Sequence, residues 1–93
     1  MNIEKFIDDV KNGKDVIIKV KPSEIESFKK LLAKIDIDYY ILRNSRFLRH
    51  IDSDGYINLR IFKRYFNNRI IFTCCIRYSY VYSERAEKLK KLL

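Results

Sequence analysis

Ile3, Phe6, Ile7 and Val10 recur at helical spacing and predict an amphipathic helix over 3–11. Asn2 stands where a capping residue belongs, and Asn12-Gly13 ends the helix because both tolerate φ > 0. The stretch DVIIKVK, Asp15 to Lys21, reads as a short strand. A second helix over 23–35 follows in KPSEIESFKKLLAKI, with Ser23 and Glu26 as a capping box. Its apolar stripe is Ile25, Phe28, Leu32 and Ile35, and Lys29, Lys30 and Lys34 face water.

IDIDYYILR, ending at Arg43, reads as a strand, Asn44-Ser45 as a tight turn, and RFLRHI, 46–51, as the next strand. RIIFTCCIRYSYVY then alternates over 69–82. Ile70, Phe72, Cys74, Ile76, Tyr78, Tyr80 and Tyr82 share a core face; Ile71, Thr73, Cys75, Arg77, Ser79 and Val81 share the other. Ser83 starts a last helix, acidic early and basic late, as the helix dipole prefers.

With Asn67-Asn68 as a two-residue turn, 56–66 and 69–82 form a hairpin. Tyr65 then opposes Ile70, Lys63 Phe72, Ile61 Cys74, Leu59 Ile76 and Ile57 Tyr78, and a one-residue slip destroys this apolar agreement. The competing reading makes NLRIFKRYFNN a short helix capped by Asn58. The expected fold is a single α+β domain over 1–93. An antiparallel sheet, mostly a meander over 37–82, packs one face against helices 3–11, 23–35 and 84–93. The strand at 15–20 joins it through the helix 23–35.

Composition fits that picture: 47% hydrophobic and 34% charged residues suit a globular chain, and 93 residues suit one domain with a modest core. No apolar run is long enough to span a membrane. The opening MNIEKFIDDVKNG carries acids among its apolar residues and does not read as a secretory signal, so an intracellular protein is expected. Abundant Ile, Lys, Asn and Tyr fit an AT-rich genome, such as those of some archaea, their viruses or low-GC bacteria. Adjacent Cys74 and Cys75 in a strand point to opposite faces, which disfavours a mutual disulfide or shared metal; Cys74 is expected to be buried.

Charge changes the picture most. Residues 43–77 carry eight basic side chains against Asp52 and Asp54, which is +6 of the formal +8. Seven of the eight arginines lie there: Arg43, Arg46, Arg49, Arg60, Arg64, Arg69 and Arg77. Arginine binds phosphate through a planar fork and stacks on bases. On the outer face of the predicted hairpin, Arg60, Arg64, Arg69 and Arg77 alternate with Phe62 and Phe66, which can serve as stacking platforms. Arg46 and Arg49 extend the basic region. The expected function is non-enzymatic binding of DNA or RNA by this Arg/Phe face, without cofactor. The alternative is a protein-interaction factor of viral or mobile-element origin that docks an acidic host partner or forms a homodimer. Plain structural readings stand beside both, since arginine stems also cover apolar sheet faces.

HIDSDGYI, residues 50–57, is the stretch that most resembles chemistry. As a calcium loop it lacks the bidentate acid, because Ile61 falls at the twelfth position. Phe47 to Gly55, FLRHIDSDG, resembles the signature of the LAGLIDADG homing endonucleases, matching at Ile51, Asp52, Asp54 and Gly55. The resemblance implies a metal-dependent nuclease in which Asp54 binds the divalent metal at the foot of a helix. Leu48 and Arg49 stand where that family has a small pair, and 38 residues follow Gly55 where its core needs further hairpins and helices. The third reading, a turn over Asp52-Ser53-Asp54-Gly55, needs only the turn preferences of those residues. His50, the single histidine, is a general-base candidate without a placed partner, and two cysteines with one histidine are too few for a structural zinc site.

Overall fold

Asn2 Oδ1 accepts the Lys5 N–H at 3.0 Å and caps helix α1, Ile3–Lys11. The computed structural model describes residues 2–74 and 77–91. Helix α1 ends where Gly13 takes φ +76°. The N–H groups of Gly13 and Lys14 return to the carbonyls of Val10 and Asp9, the paired bonds of a Schellman ending. Strand β1, Val16–Val20, buries Val16, Ile18 and Val20 and turns Ile17 and Lys19 the other way.

The Ser23–Glu26 capping box does not form. Pro22 opens a 3₁₀ turn, Pro22–Glu24, and helix α2 begins beyond it at Ile25, running to Lys34. Glu26 pairs with Lys29 at 3.0 Å instead. Helix α2 closes on a second Schellman ending. Asp36 takes φ +57°, its N–H bonds the Ala33 carbonyl, and the Ile37 N–H bonds the Leu32 carbonyl at 3.0 Å. Ile37 and Leu32 are both buried, the apolar contact that accompanies this ending.

The strands expected from IDIDYYILR and RFLRHI are 3₁₀ turns, Tyr40–Leu42 and Ser45–His50. Short polar side chains account for both. Asp38 Oδ1 accepts the Tyr40 N–H and Asn44 Oδ1 accepts the Arg46 N–H, each at 3.0 Å. These local bonds offer the backbone an alternative to a sheet ladder.

Strands β2, Ile57–Arg64, and β3, Asn67–Phe72, form the hairpin, so the helical reading of 58–67 is excluded. Arg64 pairs with Asn67, which places the turn at Tyr65-Phe66 instead of Asn67-Asn68. Moving the turn by two residues shifts the register by four. Ile61 therefore opposes Ile70 and Leu59 opposes Phe72, in place of Cys74 and Ile76. An even shift preserves the faces: Ile57, Leu59, Ile61 and Ile70 are buried as expected. Ile76 and Cys75 lie outside the described residues.

The sheet is mixed and is not a meander; its order is β3-β2-β1-β4. The alternating run does not continue as one strand to Tyr82. Strand β3 stops at Phe72, and the chain crosses to the far edge, where β4, Tyr80–Val81, pairs parallel with β1. Alternation is preserved across this break, so Tyr80 and Tyr82 face the helices. Phe6 of α1 meets Tyr80 edge-on at 5.5 Å, and Phe28 of α2 meets Tyr82 at 5.0 Å. Tyr78 is exposed and Cys74 is exposed, against the expectation of burial for both. Helix α3, Glu84–Lys91, starts with Ser83 Oγ accepting the Ala86 N–H and Glu24 Oε1 accepting the Glu84 N–H. The core from α1, α2 and segment 37–47 lies on one face of the sheet.

Candidate nucleic-acid interface

The other face is built from the outward positions of β1, β2 and β3. Arg60 stands opposite Ile71, Phe62 opposite Arg69, and Arg64 opposite Asn67. Arg64, Arg69 and Ile71 are exposed, and Ile17, Arg60, Phe62 and Val81 are half-buried. Four of the expected site residues, Arg60, Phe62, Arg64 and Arg69, are thus brought together on one surface.

Their electrostatic states differ. Arg60 donates Nη2 to Asp15 Oδ2 at 2.6 Å and Nε to Oδ1 at 2.9 Å, and its guanidinium lies 4.8 Å from the Phe62 ring centre. The Arg60 hydrogen bonds hold the Asp15 carboxyl below the ordinary carboxylate value. Arg64 and Arg69 make no ion pair with any described residue. The Arg64 guanidinium stands 5.8 Å from the Tyr65 ring centre.

Phe66 does not share the sheet face; it stands 95% exposed at the hairpin tip. Tyr65 beside it is 83% exposed and takes φ +58°. Arg77 is exposed near the opposite edge of the sheet, two residues before Ser79, whose N–H bonds the Ile17 carbonyl. It does not belong to β3 as expected, because β3 has already ended. Arg46 and Arg49 are exposed on the 3₁₀ turn 45–50. Arg49 borders the far end of the outer face, where a concavity of about 520 Å³ is lined by Lys19, His50, Asp52, Asn58 and Thr73 among others. Arg46 lies apart from it.

Lys19 was not singled out by its sequence. Its ammonium lies 3.6 Å from Asp52 and 3.8 Å from Asp54, and 4.7 Å from the Tyr78 ring centre. It points outward from β1, opposite Asn58. Tyr65 carried no sequence signal, since Asn67-Asn68 was the better turn.

Residues 52–55 form a turn. Asp52 Oδ1 accepts the N–H groups of Asp54 and Tyr56, both at 2.9 Å, and Oδ2 accepts Asn58 Nδ2 at 2.7 Å. The Tyr56 and Asn58 bonds, in that order, hold the Asp52 carboxyl below its ordinary value despite partial burial. Gly55 takes φ +85°. Asp54 is 71% exposed, and the foot of an α-helix implied by the nuclease resemblance is not its setting. Among the described residues no three His, Cys, Asp or Glu side chains are grouped to hold a metal ion. His50 stacks on Phe72 at 4.0 Å with the rings nearly parallel. Among the described residues no helix is long and apolar enough to cross a membrane. Set against known protein families, curated proteins and solved structures, the chain matches none of them.

Proposed function

We propose that this chain is a small, non-catalytic nucleic-acid-binding protein whose outer sheet face contacts the phosphate backbone. The observation that supports this is the pair Arg64 and Arg69, outward on neighbouring strands, exposed, and without an acidic partner among the described residues. Arginine forks free of carboxylates suit phosphate oxygens. The formal charge of +8 draws a polyanion to the protein and supplies the salt-dependent part of affinity. Arg60 and Phe62 extend the surface along β2, and Arg49 borders its far end.

The test is fluorescence anisotropy with labelled oligonucleotides across a salt series. Arg64→Ala with Arg69→Ala should weaken binding and reduce the salt slope by about 2, one unit for each lost phosphate contact. An unchanged slope would remove this face as the binding surface.

Exposed Ile71 and half-buried Ile17, Phe62 and Val81, spread across the same outer face, support a second reading, in which the face docks an acidic protein partner or a second copy. Light scattering separates the two: a salt-insensitive dimer favours the second.

A further inference from the structure

We propose that the hairpin tip, Tyr65 and Phe66, stacks on unpaired bases, so that the ligand is single-stranded nucleic acid; this rests on the outer-face reading above. Tyr65 and Phe66 are the two most exposed large hydrophobic residues described. A two-residue hairpin turn ordinarily carries Gly, Asn or Asp, and here it carries two aromatic rings. Tyr65 also holds φ +58°, a conformation that glycine adopts without strain and a bulky side chain does not. Among the described residues, the other positive φ at a non-glycine, at Asp36, is explained by its place in the Schellman ending of α2. No such packing role accounts for Tyr65. A strained backbone that projects unburied rings into solvent is the kind of outlier from which a binding role is inferred.

Charge around the tip sets the direction of approach. Arg64 flanks Tyr65 and Arg69 lies across the hairpin, both on the outer side. On the helix side, Phe66 shares a concavity in which Asp36 and Asp38 balance Lys11 and Arg69, so no excess of positive charge draws phosphate there. A strand therefore lies along the outer face, with its phosphates at Arg64 and Arg69 and its bases over the tip. Every base has a π-face, so this contact is tolerant of sequence. Phe62 is less suited to that role because it is half-buried and the Arg60 guanidinium stands closer to its ring than Arg64 does to that of exposed Tyr65. Stacked bases within a duplex do not offer their faces to the tip.

The experiment compares an unstructured single-stranded oligonucleotide with a duplex of equal length at one salt concentration. The proteins are the parent chain, Tyr65→Ser with Phe66→Ser, and Arg64→Ala with Arg69→Ala. The tip variant should lose about tenfold or more in single-strand affinity and keep its duplex affinity and salt slope. In Phe66→Trp, the indole emission should be quenched by the single strand. A tip variant that binds the single strand like the parent overturns the stacking, and the outer-face reading survives if the arginine variant is weakened. Equal loss on single strand and duplex overturns it in favour of a wedge into duplex DNA. An indole that shifts to the blue with anionic phosphatidylserine vesicles, and is not quenched by the oligonucleotide, overturns it in favour of a membrane surface. A parent chain that binds neither oligonucleotide overturns both readings. Circular dichroism of each variant shows that it is folded.

Discussion

Asp15 and Arg60 are joined by a two-point ion pair, Nη2 to Oδ2 at 2.6 Å and Nε to Oδ1 at 2.9 Å, across the edge of the surface proposed to meet phosphate. A carboxylate held in this way competes with a phosphate for the same fork. Asp15→Asn should therefore raise affinity for nucleic acid several-fold and steepen the salt slope by about 1. Both side chains are substantially exposed, so the loss of stability should stay below about 1 kcal/mol. Arg60→Ala, in contrast, should weaken binding less than Arg64→Ala. If Asp15→Asn binds no better than the parent in the anisotropy series, Arg60 takes no part in the contact.

Asp52 organises the turn that leads into β2. It accepts two backbone N–H groups and the side-chain amide of Asn58, a residue only 8% exposed. Asp52→Ala strands a buried amide and two turn donors, and should destabilise the chain by about 1–3 kcal/mol in urea unfolding. Asp54→Ala, at an exposed position, should change stability by less than about 0.5 kcal/mol. Equal effects would mean that Lys19, which approaches both carboxylates, dominates the site.

The helices and the faces of the hairpin were legible because they rest on periodicity. Phe6, Phe28, Ile61 and Ile70 are buried where their spacing placed them. Four things were not legible. Asp38 and Asn44 divert the segment 38–50 into 3₁₀ turns through bonds to N–H groups two residues ahead, and alternation cannot report such competition. The break after Phe72 keeps the parity of the run, so Tyr80 in β4 and Tyr82 just beyond it face the core at the opposite edge. The turn at Tyr65 defies turn preference. The acid that occupies Arg60 comes from 45 residues away in sequence, and composition cannot assign such a partner. The basic outer surface was legible from alternation and charge, but Arg77 was not placed correctly, because its strand ends five residues earlier.

Two phenol–carboxylate pairs tie the sheet to the helices, and the phenols predict an alkaline limit to the stability of the fold. Tyr80 donates to Asp9 of α1 at 2.5 Å, and Tyr82 donates to Glu87 of α3. Burial and then the Asp9 hydrogen bond push the Tyr80 phenol up to about 12 from 10.0. A raised folded-state value means that this contribution is whole below pH 10 and is lost as pH rises through about 12. At the acid end, the Asp9, Asp15 and Asp52 carboxyls lie below 3.8, so their contribution is present above 3.8 and is lost as pH falls below it. Urea unfolding across pH should show a plateau bounded by these two limbs. Tyr80→Phe should flatten the alkaline limb in part, because Tyr82 is also raised. An alkaline slope unchanged by Tyr80→Phe would show that the Asp9 pair is not what sets it.

The strain at Tyr65 predicts an opposition between stability and binding. A left-handed conformation costs a non-glycine residue roughly 1–2 kcal/mol, and glycine gives back about 0.5–1 kcal/mol through its larger unfolded-state entropy. At 83% exposure, Tyr65 has little packing to lose. Tyr65→Gly should therefore raise stability by about 0.5–1 kcal/mol, read as a higher thermal midpoint. The same change removes one of the two rings at the tip and should weaken single-strand binding. Phe66→Ser, at a residue whose own φ is not positive, should weaken binding without the gain in stability. A Tyr65→Gly protein that melts no higher than the parent would show that the turn is not strained, and the inference from its backbone to a binding role would lose its ground.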